Sequence, residues 1–260
     1  MYIDGVTFAA VAAATLSLLF RYPARRVPGE RGATTAVLLL GLGVYLVSSD
    51  TPIGDWLYPI TGTGYADTFV GNLCWIGGLV ALLHHVLDRL ADHPEQVQFF
   101  DALLRWPITF AVPMMLAAMY FSHPLALAPV PDIGDAHADI WLIAYRVLYY
   151  GTLVYLCALL LRTLPIVKRD DGRSCYVSVL YMLAAGTILF GLCTRVLSYI
   201  DTLWWLHLVS PITRCCSVIT VAVAAAVSWF LKAREAAHPR CAEAAQGVQR
   251  AHWLGCQPDV

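Results

Sequence analysis

Three arginines stand where apolar residues are expected. Arg146, Arg195 and Arg214 each interrupt a long apolar segment between residues 139 and 229. An arginine at mid-bilayer costs about 2.5–3.5 kcal/mol on insertion scales, so it should face protein, water or an anion rather than lipid. The guanidinium is a planar fork of donors that matches carboxylate and phosphate oxygens. Asp139 lies seven residues before Arg146 and His207 seven before Arg214, spacings that put each pair on one helix face. Tyr149 follows Arg146 by three, and Asp201 lies in the short turn after the Arg195 segment. Two chemistries fit this pattern. In one, Arg146, Arg195 and Arg214 line an outward-facing cavity for a carboxylate, phosphate or lipid headgroup. Tyr149 and His207 then add hydrogen-bonding or proton-linked groups. In the other, each arginine snorkels outward or pairs with Asp139, Asp201, Asp50 or Asp67 and ties helices together.

The remaining reactive residues suggest less. His84 and His85 are adjacent, so a regular helix cannot aim both at one metal ion, and no other histidine lies at similar depth to complete a haem. The eight cysteines include no CxxC and none in a segment assigned outside, so they read as small apolar filler. Neither lysine, Lys168 or Lys232, lies mid-span to form a retinal Schiff base. The sequence has no HExxH, GxSxG or GxxxxGK[ST] motif and no nucleic-acid-binding domain. No metal, cofactor or catalytic residue is indicated.

Composition says what must position the arginines. The chain is 59% apolar and only 13% charged, with mean hydropathy +0.64. Soluble domains carry about 25% charged residues. A membrane-spanning helix needs about 20 mostly apolar residues. Seven segments qualify, over 3–20, 33–49, 68–90, 106–122, 139–161, 175–200 and 203–231. The fold class is therefore all-α, a polytopic bundle over 1–231, with 232–260 as a short cytosolic tail. Residues 50–67 read as a loop from their proline, glycine and interfacial aromatic content. Residues 91–105 read as a polar connection, and Pro211 interrupts the seventh span.

Charge sorting sets the orientation. Of 17 lysines and arginines, 14 fall in segments that share one side of the membrane, and none falls in the segments on the other. The positive-inside rule then places the N-terminus outside and the C-terminus inside, in the inner (cytoplasmic) membrane of the cell. The three basic residues left over are Arg146, Arg195 and Arg214. At about 1.5 Å per residue, Arg146 lies roughly 10 Å in from Asp139 and Arg195 roughly 9 Å in from Asp201. By the same rise, Arg214 lies roughly 12–16 Å in from Trp204 and Trp205. All three belong to the outer half or the middle of the bilayer.

The short first helix with its basic turn RYPARR, the fifth segment YRVLYYGTLVYL and the sixth, YVSVLYMLAAGTILFGLCTRVLSYI, carry a likeness of layout. Together with Gly151, Gly186 and Gly191, they make the chain resemble seven-helix actinobacterial membrane proteins classed as transporters, without the longer cytosolic C-terminal region many of those carry. That resemblance implies seven spans and transport. Two functional readings stay open: a transporter or binder of a small anionic or amphipathic ligand, and a heptahelical sensor that meets a cytosolic protein through its inner loops and tail. The lipid bilayer is a partner in both.

Overall fold

The structure, a computed structural model, describes residues 2–48, 53–88, 90, 93–126, 138–170 and 175–254. The side chains of Asp201 and of residues after Arg234 lie outside the described set, as does Asp50. Among the described residues there are ten α-helices: α1 (Tyr2–Phe20), α2 (Arg31–Leu46), α3 (Ile53–Thr61), α4 (Ala66–Leu87), α5 (His93–Phe99), α6 (Trp106–Phe121), α7 (His123–Ala126), α8 (Ile140–Asp170), α9 (Cys175–Leu197) and α10 (Val209–Leu254). No strand occurs among the described residues.

Five helical runs among the described residues are long and apolar enough to cross a membrane: Ala66–Leu87, Pro94–Phe121, Ile140–Ile166, Cys175–Leu197 and Thr202–Arg234. Gly5–Phe20 and Arg31–Leu46 are apolar but shorter. The surface supports the same environment. Phe8, Phe110, Val147, Leu183 and Phe190 all point outward and are more than half exposed. A soluble protein rarely leaves so much large apolar surface uncovered.

Six helices form a closed cycle of neighbours, in the order α1, α2, α4, α8, α9, α10 and back to α1. Helix α6 packs on the outside of α8, and α2 also touches α10. At 16 residues, α2 is only about 24 Å long. It is shielded by protein on three sides, so it need not match the bilayer by itself.

Glycines set the closest helix pair, α2 with α4. A Cβ on Gly43 would lie 2.8 Å from Trp75 Cδ1 and 3.0 Å from the Gly71 carbonyl oxygen. Without a hydrophobic drive between helices in lipid, such close backbone approach is a main source of association. Gly43→Ala should therefore overpack this interface and cost about 1–3 kcal/mol. Gly151→Ala meets nothing within 4 Å and should leave stability unchanged or raise it by up to about 1 kcal/mol. Thermal melts of the two variants in one detergent test the contrast, and equal melts would refute it.

Three expectations change. Residues 50–67 hold a helix, α3, with Pro59 inside it, and the turn after it uses Gly62 at φ +69°. Of the polar connection expected at 91–105, the described part, His93–Arg105, is helical too: α5 passes through a π-helical stretch, Phe100–Arg105, directly into α6. Pro211 does not break a long seventh helix. Residues Asp201–Leu208 form a 3₁₀ helix, and α10 begins at Val209. Pro211 thus lies in the first turn of α10, where its missing N–H costs little.

Candidate functional site

The cycle of helices encloses a cavity of about 60 Å³ near one end. That is room for a few water molecules or a small anionic group. Its walls come from the N-terminal halves of α4, α8 and α10, the last three turns of α9, and Val47 just past α2. Arg146, Arg195 and Arg214 all line it. So do Asn72, Trp75, Tyr145, Tyr149 and Ser210. No carboxylate is among the described lining residues.

Helix ends explain why these arginines meet. Arg146 lies six residues into α8 and Arg214 five into α10, while Arg195 lies in the last turn of α9. Neighbouring helices running in opposite directions therefore bring all three to one level. Arg195 and Arg214 also lie closer to the helix ends than the sequence depths suggest. Arg195 is only about 3 Å from the end of its helix, because α9 stops at Leu197. Arg195 is buried, and the other two are partly buried. Arg195 complements the negative end of α9. Arg146 and Arg214 lie in the second turns of α8 and α10, beyond the first turn where a helix end acts most strongly.

The guanidinium groups are held differently. Arg146 lies over the ring of Tyr199, with Cζ 5.1 Å from its centroid, and Arg195 lies 6.0 Å from the same centroid. The Arg214 guanidinium makes no hydrogen bond or ion pair among the described residues. On the facing wall, Asn72 Nδ2 donates to the Tyr145 hydroxyl at 2.8 Å. Tyr149 packs beside Tyr150, ring centroids 5.5 Å apart. Comparison with family models, curated proteins and solved structures finds no match to this chain.

The structure separates Asp139 and His207 from this cluster. Asp139 is the N-cap of α8, not a counter-ion to Arg146. Its Oδ1 accepts from Leu142 N–H at 2.6 Å and from the Ser122 hydroxyl at 3.1 Å, and its Oδ2 from His123 N–H at 3.2 Å. An aspartate just before a helix satisfies donors that would otherwise be bare. His207 is not in the cavity wall. It stacks on Trp204, and its Nδ1 lies 2.6 Å from the Trp204 carbonyl oxygen. Seven-residue spacing fails here because a 3₁₀ helix has about three residues per turn, so His207 and Arg214 lose their shared face. The Asp201 side chain lies outside the described set. His84 pairs with Asp88 at 3.1 Å, while His85 Nδ1 lies 3.0 Å from the Gly29 carbonyl oxygen. The adjacent histidines thus serve separate partners.

A second charged cluster, at the opposite end of the bundle, went unread. Arg21 is fully buried and so is Glu30, and Arg21 Nη2 donates to Glu30 Oε2 at 2.8 Å. Arg21 also donates to the Ala225 carbonyl of α10 and lies 3.4 Å from Thr34 Oγ1. Lys232 of α10 bonds the other Glu30 oxygen. Sorting every basic residue by side of the membrane hid this cluster. The signal was Glu30 itself, an acid inside the arginine-rich stretch RYPARRVPGER.

Proposed function

We propose that this is a seven-span protein of the cytoplasmic membrane, N-terminus outside, which takes a small anion or the anionic head of an amphipathic molecule at the arginine cavity. One observation carries the reading: arginines from three different helices meet in one cavity. The charge sorting supports an outer-side location for that cavity. The likeness of layout to actinobacterial transporters supports movement of the ligand across the membrane. A sensor role draws support from α10, one helix that carries cavity-lining Arg214 and runs on to Leu254.

Calorimetry of the protein in lipid nanodiscs, titrated with acetate, sulfate and inorganic phosphate, tests the binding reading. At least one probe should bind the wild-type chain. Arg214→Gln removes charge-assisted hydrogen bonds worth about 1.5–3 kcal/mol, so its affinity should fall roughly 10- to 100-fold. His207→Gln, away from the cavity, should bind like wild type. If none of the three anions binds, or if Arg214→Gln binds as tightly as wild type, the reading is wrong. Flux of the bound anion into proteoliposomes then separates transporter from sensor.

A further inference from the structure

We propose that Tyr199 is the positioning residue of the anion site, its ring holding Arg146 and Arg195 side by side. The inference rests on the anion reading above. Tyr199 does not line the cavity, yet both arginines reach it there, at 5.1 and 6.0 Å from one ring centroid. The negative face of an aromatic ring attracts a guanidinium. Two like charges in one wall repel, and long arginine side chains lose rotamer freedom when they grip a ligand. A shared ring offsets both effects before any ligand arrives.

The local backbone fixes the ring in place. Tyr199 follows α9 in a turn whose amides are all bonded: Ser198 N–H to Thr194 O at 3.0 Å, Tyr199 N–H to Val196 O at 3.3 Å and Ile200 N–H to Leu197 O at 3.0 Å. The Ser198 hydroxyl donates to the Arg195 carbonyl at 2.7 Å, tying the turn to the helix end that carries Arg195. Tyr199 is nonetheless 46% exposed, so the ring stands at the rim of the site rather than in the packed core. This is a position at which residue size matters little to stability and ring chemistry matters to the arginines.

Leucine and phenylalanine distinguish ring chemistry from packing. In the nanodisc titration with acetate, sulfate and phosphate, Tyr199→Leu should weaken the anion that wild type binds by roughly three- to tenfold. Tyr199→Phe, which keeps the ring and loses the hydroxyl, should restore affinity to within about twofold. In a double-mutant cycle, the Tyr199→Leu effect should persist in the Arg214→Gln background and vanish with Arg146 and Arg195 both changed to glutamine. Melting curves of every variant confirm that it is folded. Equal affinity of Tyr199→Leu and wild type would overturn the role of the ring while leaving the anion site intact. So would a loss that Phe does not repair. A wild-type chain that binds none of the anions would overturn both.

Discussion

Glu30→Gln should be among the most destabilising single substitutions in this protein, at about 3–5 kcal/mol. The carboxylate is fully buried and is shared by fully buried Arg21 and half-exposed Lys232. Removing its charge leaves the Arg21 guanidinium buried without a counter-ion, which is the costly way to break a buried pair. Most of the loss belongs to Arg21, because water screens the Lys232 side of the interaction. The same carboxylate predicts a pH dependence. Burial alone would push the Glu30 carboxyl up, but the hydrogen bond from Lys232 and the positive charges of His85, Lys232 and Arg21 hold it below its ordinary value. A depressed carboxyl stabilises the fold above the unfolded-state value, and that contribution is lost as pH falls through the folded-state value. Wild-type stability should therefore be flat from neutrality to about pH 4.3 and fall below it. The Glu30→Gln variant should be less stable at neutral pH and lack this acid limb. Melting temperatures across pH in one detergent check both points; an unchanged acid limb in the variant would show that Glu30 is not its source.

That cluster also marks how far the sequence could be read. Helix content followed from composition, since so apolar a chain can satisfy its backbone in lipid only within helices or a closed barrel. The places where helices stop were harder to see. The Pro- and Gly-containing stretch 50–67 reads as a loop, but Ile53–Thr61 is helical. The 3₁₀ segment before α10 has no hydropathy signature, and it is what removes His207 from the cavity. The three arginines were legible because each violates an apolar run, and the structure does bring them to one cavity. Asp139 was legible too, but as a helix start: an acid just before an apolar periodic segment is an N-cap signal before it is a counter-ion. Arg21 was hidden by a rule that accounts for every flanking basic residue at once. Tyr199 was hidden because a tyrosine near a membrane interface is expected, and its two cationic neighbours come from different helices.

Trp75→Ala should show that the cavity and the α2–α4 interface are one construction. The indole is 1% exposed, lines the cavity, and packs where Gly43 leaves room for it. Truncating a buried tryptophan to alanine costs about 3–5 kcal/mol, since the surroundings close only partly around the void. Here the void adjoins a cavity of about 60 Å³, so the lost volume should appear as a larger anion site as well as a lower melting temperature. Larger carboxylates should gain on smaller ones: the ratio of benzoate to acetate affinity should rise in Trp75→Ala and change little in Trp75→Phe, which keeps a ring in the wall. If the alanine variant melts low but keeps the wild-type ratio, Trp75 supports the helix pair without shaping the site. If the ratio rises, the residue that allows α2 and α4 to pack closely also sets the size of the ligand, because Gly43 admits the indole that forms the cavity wall.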